Sequence, residues 1–452
     1  MSVIDPASAS GGPVRVAMIL ANPCTNDARV IKEAEALVRR GYEVRVFCLA
    51  APGLPDIEQS NGVVYQRIRP PHRAVVPGVS GRLPVIAQAP QSRAGRIAVL
   101  APRRWAASLK RLVGPFLENE LLAWAFVGPV ARFRPRIVHA HDFNTLTAAL
   151  RAARKTGAAV VYDMHEMEEA RLPMAGPLLA RFKQAIERRA IRRVDRAITV
   201  SPSIVEHYAR KYGIEPPALV LNAPAVVLGR ATPDDVRRRA GLGPQTPLAV
   251  YVGVVGEGRG IEHMLAAVAA APGIHLALLG PVREAMRPAL ERAMRDEASK
   301  GRIHPLGLVP HGDVVPFIRT ADLGLCTILG TCLNYEYCLP NKLFEMTFAG
   351  LPVVVSENVE LKRFVEMSGT GIAVPADDPA AIAAAMQRIL AGRDGFRPDA
   401  ERLARLYGRF GWERQEERLA AVYDGVLERA GRPTQSVGSA ARGAAGLVGS
   451  KA

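Results

Sequence analysis

The sequence predicts an α/β chain of two doubly wound, Rossmann-like parallel-sheet domains facing a central cleft, on three observations. Short β-branched and apolar runs alternate with amphipathic helical stretches in both halves. A stretch rich in Pro, Gly and charge, residues 226–247, separates the halves and reads as a linker. Polar residues collect just after several of the strands, where open α/β sheets bind their ligands.

The elements follow in order. Val14 to Leu20, VRVAMIL, is the first strand. A helix from Ala28 to Gly41 carries Val30, Ala34, Leu37 and Val38 on one face. Tyr42 to Leu49 is the second strand, and the βαβ unit they complete favours a parallel sheet. No G-x-G-x-x-G follows the first strand, so a dinucleotide site is not expected there. Asp27 is either a helix cap or a ligand-facing residue.

Arg136 to Ala140 is a strand that runs on into HAHDFNTL, placing His141 and Asp142 at its carboxyl end. VVYD then leads into MHEMEE and places Asp163, His165 and Glu166 at an equivalent edge. The H-x-H pair is read as alternating to opposite faces of its strand, so no metal site is expected. A basic helix over 177–193, the strand AITVS, a helix from Pro202 to Tyr212 and a strand from Leu219 to Asn222 finish the first half.

Leu248 to Val252 opens the second half and runs into GVVGEGRG. Gly253, Gly256, Gly258 and Gly260 let a backbone approach a diphosphate closely, and Arg259 offers a fork of donors. HLALLGP is a strand ending at Gly280, IHPLGLVP follows at 303–310, and ADLGLCTI is the next strand. In LPNKLFEMTFAGLPVVVSE, Pro340 opens a helix, Gly350 stops it, and Val353, Val354 and Val355 form a buried strand. A helix N-terminus beside the end of a parallel strand binds anions, because its free N–H groups and its dipole point the same way. Asn341 and Leu343 sit in that first turn, Lys342 adds a point charge, and Glu345 offers a carboxylate for two sugar hydroxyls. Helices from Pro379 to Ala391 and from Trp412 to Arg429 close the chain. Residues 1–13 and 431–452 are expected to be disordered.

Composition narrows the partners. The chain carries a formal net charge of +16, and 49% of its residues are hydrophobic, which excludes a disordered protein. Five cysteines without C-x-x-C spacing argue against a zinc site or a disulfide framework. No signal peptide and no membrane span are expected, so the protein is expected in the cytoplasm. From Gln59 to Leu117 there is no Asp or Glu but ten Lys or Arg, interleaved with apolar residues and Trp105. This basic apolar insert, about 67–130, suits an anionic membrane surface reached through residues 67–113, on the inner face of the cell membrane. No nucleic-acid-binding motif accompanies it, and nucleic acid is not expected as a partner.

P-x-K-x-x-E-x-x-x-x-G-x-P-V-V, from Pro340 onward, resembles the nucleotide-sugar motif of the group-1 (family 4) retaining glycosyltransferases. NDARVIKEAEALVRRGYEVRV resembles the opening of many members, and H-x-H-D and Y-D-x-H-E are familiar in them. The resemblance covers roughly 14–225 and 245–430. It implies the GT-B fold: an acceptor-side domain over 14–225, a nucleotide-sugar domain over 248–411, and a last helix, 412–430, that packs back on the first domain. It implies transfer of a sugar from a UDP- or GDP-linked donor to a hydroxyl acceptor, lipid-linked or saccharide, with retention and without a metal or other cofactor. It assigns donor binding to Gly256, Gly258, Gly280, Val309, Asn341, Lys342, Leu343 and Glu345, with Glu345 on the ribose. Arg259 and Lys342 would stabilise the leaving diphosphate, and His141 would lie near the sugar. Asn26, Asp27, Arg29, Asp142, Asp163, His165 and Glu166 would line the acceptor side. Two departures stand out: Tyr337, next to Glu336, replaces a glutamate that contacts the sugar in many members, and Val254 replaces a loop arginine.

Cell-envelope polysaccharide or glycolipid synthesis is the expected setting. A GT-B sugar-nucleotide epimerase and a non-catalytic basic scaffold with a decayed donor site are the alternatives, and donor-dependent product formation separates the three.

Overall fold

The protein is seen here as a computed structural model, which describes residues 12–25, 27–70, 120–167, 177–226 and 232–431. Asn26, the tail from residue 432 and the basic segment 71–119 lie outside the described residues, as does the N-terminus through residue 11.

The first half runs β1 (Arg15–Ile19), α1 (Ala28–Arg39), β2 (Glu43–Leu49), β3 (Ile57–Ser60), β4 (Val63–Ile68) and α2 over 120–133. It continues through β5 (Ile137–His141), α3 (Phe143–Thr156), β6 (Ala159–Met164), α4 (Pro177–Ile191), β7 (Arg196–Thr199), α5 (Pro202–Tyr212) and β8 (Ala218–Leu219). Its eight-stranded sheet has the order β3-β4-β2-β1-β5-β6-β7-β8. β1 lies between β2 and β5, both parallel to it, with Val16 opposite Val44 and Ile137. All the residues of β5 and β6 are buried, as expected of strands covered on both faces.

The β3–β4 pair is antiparallel and goes beyond the expected strands. Asn61 and Gly62, both at positive φ, make its two-residue turn. This hairpin corrects the basic insert expected over 67–130. Arg67 lies within β4, 7% exposed, and donates to Glu58 at 2.6 Å and to the Pro55 carbonyl at 2.8 Å. Arg69 pairs with Asp56 at 2.6 Å. At the other end, α2 buries Phe126, Val130 and Phe133. Two of the ten cations are thus neutralised by the hairpin, and the segment's last residues belong to the folded core.

The second half runs α6 (Val236–Ala240), β9 (Leu248–Val252), α7 (Ile261–Ala270), β10 (His275–Leu279), α8 (Arg287–Arg295), β11 (Ile303–Gly307), α9 (Val314–Ile318) and β12 (Leu323–Cys326). Then come α10 (Leu333–Glu336), α11 (Asn341–Phe348), β13 (Val353–Ser356), α12 (Val359–Ser368), β14 (Gly371–Val374), α13 (Pro379–Ala391), α14 (Arg393–Phe396), α15 (Ala400–Phe410) and α16 (Trp412–Arg429). The six-stranded sheet, β11-β10-β9-β12-β13-β14, is parallel throughout. Successive residues of β9 enter opposite cores, Leu248, Val250 and Val252 on one face and Ala249 and Tyr251 on the other. Within the 226–247 segment, the short α6 is tied down by Arg237, which donates to the carbonyls of Gly243, Thr246 and Thr320 and to Asp322 at 2.6 Å.

The chain divides into two compact units, one built on β1 to β5 and one holding residues 163–192 and 197–419. Helix α16 is divided at Leu419: from Ala420 on, it belongs with the first unit. There Tyr423 meets Tyr42 edge-on at 5.6 Å.

Candidate functional site

Each sheet has one point where the chain reverses direction across the strands, and a crevice opens at the carboxyl ends there. In the first sheet that point lies between β1 and β5; in the second it lies between β9 and β12. Most of the expected site residues sit at the ends of these strands or of their neighbours.

At the second switch point, β9 ends in Tyr251 and Val252 and the glycine turn follows. Gly258 stands at positive φ, and a Cβ there would press on the Tyr335 ring at 3.2 Å. Gly260, also at positive φ, leads into α7, and a Cβ there would collide with the Thr327 carbonyl beyond β12. The turn therefore needs glycine where it lies against its neighbours. A Cβ on Gly280, expected among the donor-binding residues, would collide with the Gly253 carbonyl, so glycine there lets β9 and β10 approach closely.

Helix α11 supplies the charge. Pro340 precedes its first turn, and no side chain caps that turn. The Leu343 N–H already donates to the Pro340 carbonyl at 3.0 Å, so it is Asn341 and Lys342 that leave N–H groups for a ligand. Leu343 itself is a core residue, wholly buried. Asn341 donates to Glu345 at 3.1 Å, and Glu345 is 4% exposed.

Lys342 is 5% exposed. Its ammonium donates to the Tyr251 hydroxyl at 2.8 Å and lies 4.0 Å from the centre of that ring. Among the described residues it has no carboxylate partner. A Cβ on Gly253 would stand 3.5 Å from the Lys342 Nζ, which places the ammonium against the glycine turn. Burial pushes the Cys326 thiol up to about 11, while the charges of Lys342 and Arg259 pull the other way. Burial raises the Cys338 thiol too, with Cys326 adding to the rise and the same two cations opposing it. Arg259 and Lys342 thus act on the same spot, although 83 residues separate them in sequence.

Sequence reasoning missed two neighbours here. Tyr251 reads as one more apolar strand residue, and only its polar tip beside Gly253 hints at more. Arg283, exposed, lays its stem on Gly256, with Cδ 3.0 Å from where a Cβ would be. Glu336 accepts from the Val359 N–H at 3.3 Å, so its carboxylate is committed to the start of α12. Tyr337 lies beside His207, ring centres 6.2 Å apart. Val309 packs against the core, next to the exposed Leu308.

At the first switch point the structure corrects one expectation. His139 and His141 share a face of β5, because residues two apart on a strand point the same way, and their rings stack at 4.3 Å. Both are wholly buried, and with Glu33 they bring ligand atoms within 4.8 Å of one another. Two of the three already have a neighbour of another kind. Glu33 pairs with Arg29 at 3.0 Å, both nearly inaccessible, and His139 Nδ1 meets the Tyr423 hydroxyl at 2.7 Å. The Arg29 guanidinium beside Glu33 opposes a metal cation. Asp27 caps α1, accepting from the Val30 N–H at 3.3 Å and from Asn22 at 3.0 Å. Asp142 stands at φ 63, a strained position for a residue with a Cβ and one that concentrates at functional sites. On β6 the buried Asp163 meets His165 at 2.9 Å, and Glu166 is exposed.

The comparisons agree with this architecture. Residues 28–225 match the model of the glycosyl transferase 4-like domain, and residues 246–392 match that of the glycosyl transferases group 1. The D-inositol 3-phosphate glycosyltransferase of Acidothermus cellulolyticus is 24% identical over 97% of this chain and 96% of its own. Among solved structures, sucrose-phosphate synthase from Thermosynechococcus elongatus superimposes with a TM-score of 0.71 at 20% identity, covering 92% of this chain and all of that one. Anabaena HepE, solved in complex with UDP-glucose, gives 0.64 at 13% identity, over 90% and 99%. The fold is GT-B, two parallel-sheet α/β domains, and the chain, matched through both halves, belongs to the group 1 family of glycosyltransferases.

Proposed function

We propose that the protein transfers a sugar from a nucleotide-sugar donor to a hydroxyl acceptor with retention, and that the β9–β12 crevice holds the donor diphosphate. One observation carries the reading: Lys342 is nearly buried, and among the described residues its ammonium has no carboxylate partner. Burying a charge is costly unless it is paired, and an anionic ligand supplies the missing partner. The unshared N–H groups at the start of α11 and the Arg259 guanidinium add donors of the kind a diphosphate accepts. The relatives' names support the ligand class: HepE was solved with UDP-glucose.

In the reaction the bond from the anomeric carbon to the donor phosphate breaks and a bond to the acceptor oxygen forms on the same face. The acceptor proton passes to the departing phosphate oxygen. Lys342, Arg259 and the α11 N-terminus stabilise the charge that develops on that diphosphate. Glu345 takes the ribose hydroxyls, and the family resemblance assigns His141 to the transferred sugar. No metal is required, since the positive charge comes from the protein.

A calorimetric panel of UDP-, GDP- and dTDP-sugars, without metal, tests this reading and names the base. Glu345→Ala is expected to weaken binding of the preferred donor by roughly 10–100-fold, the worth of a hydrogen bond to a charged group. Native affinity in that variant removes the ribose assignment, and no binding by the native protein removes the donor site.

The acceptor reading is a lipid-linked or saccharide hydroxyl at an anionic membrane surface, in cell-envelope polysaccharide or glycolipid synthesis. Its support is the run of basic residues from Arg73 to Arg111 and the 69% exposure of Trp124 on the adjacent α2. No helix among the described residues is long and apolar enough to cross a membrane. Deleting residues 70–111 should release the protein from phosphatidylserine vesicles in a sedimentation assay. Undiminished cosedimentation would set the membrane partner aside.

A further inference from the structure

The hydroxyl of Tyr251 has one proton, and its partners decide where that proton goes. It donates to the Val254 carbonyl inside the glycine turn at 2.9 Å. Its lone pairs are then left for the Lys342 ammonium at 2.8 Å, which can only donate. An ammonium has three protons, and among the described residues only this one hydrogen bond from Lys342 is present. The remaining two are directed away from the phenol. Tyr251 is wholly buried and packed in the core of the six-stranded sheet, so its oxygen cannot wander. Burial keeps the thiols of Cys326 and Cys338 neutral, so neither competes for the Lys342 protons as an anion.

We propose that Tyr251 is a positioning residue that ties Lys342 to the glycine turn, so that the two unshared ammonium protons face the diphosphate of a bound nucleotide. The inference rests on the donor-site reading above. It explains why a tyrosine stands one residue before the end of a strand whose other residues are apolar: the ring supplies core packing and a face for the cation, and the oxygen supplies direction. A flexible lysine held in this way loses less freedom when the ligand arrives.

The test is a double-mutant cycle in the full-length protein, with UDP and GDP as probes and ligand-observed NMR to reach millimolar dissociation constants. Tyr251→Phe keeps the ring and removes the oxygen. It is expected to weaken binding of the preferred nucleotide about tenfold, to raise the donor KM and to leave the acceptor KM unchanged. In a Lys342→Met background the same change is expected to alter affinity less than about twofold, because the tyrosine acts through the lysine. Equal losses in both backgrounds would mean a general packing effect and overturn the proposal, as would native affinity in Tyr251→Phe alone. Should Tyr251→Phe not fold, 4-methylphenylalanine at position 251 keeps the shape and removes the oxygen; unchanged affinity there also overturns the proposal. If the native protein binds neither UDP nor GDP, the donor-site reading fails first and takes the inference with it.

Discussion

Lys342→Met is expected to lower affinity for the preferred nucleoside diphosphate by about a hundredfold while leaving the chain at least as stable as the native protein. The two effects have opposite signs for one reason. Lys342 is 5% exposed, and among the described residues its ammonium is met by one hydroxyl and one ring face. A buried charge that lacks an ionic partner costs more than an apolar side chain of similar volume. Methionine fills the space without the charge, and such replacements of buried ions are neutral or stabilising by about 1–4 kcal/mol. With a diphosphate present the balance reverses, since the charge-assisted bonds to phosphate oxygens are lost. Urea denaturation and calorimetric titration on one preparation read both quantities. A lower urea midpoint with native affinity would assign Lys342 to the fold and withdraw it from the site.

Phe344→Ala is expected to produce the largest stability loss, about 3–5 kcal/mol. The ring is wholly buried, meets Phe364 edge-on at 5.7 Å, and has Phe348 at 6.1 Å and Phe410 at 6.0 Å. Truncation leaves a cavity between α11, α12 and α15 that backbone elements cannot fill by a small shift. The same helix carries Asn341, Lys342 and Glu345, so donor affinity should fall as well, though no ligand-facing atom has changed. A urea midpoint shifted by less than about 1 kcal/mol equivalent would show that this cluster collapses to fill the gap.

These two residues, two positions apart on one helix, divide the work of α11: one face closes a core and its first turn faces a ligand. That division was partly legible in the sequence. The P-x-K-x-x-E spacing places Lys342 and Glu345 near the start of a helix, and Gly350 and the valine run place a buried strand after it. The spacing does not tell which backbone N–H groups stay unshared, and Leu343, expected among the donors, spends its own on Pro340.

The sequence by itself determined the βα alternation of both halves, though not the β3–β4 hairpin, because hydrophobic period and turn chemistry are local and readable at 2.0 or 3.6 residues per repeat. It determined the family, because the motif residues are consecutive. It also located the glycine turn and the α11 stretch. The tertiary structure alone decided which distant residues share a neighbourhood. It brought Tyr251 to Lys342, and Tyr423 to His139 across 284 residues. It also laid Arg283 on Gly256. The physical reason is the same in each case. A parallel sheet joins strand ends through crossovers of a dozen or more residues, so the groups that meet at a switch point are neighbours in space and strangers in sequence.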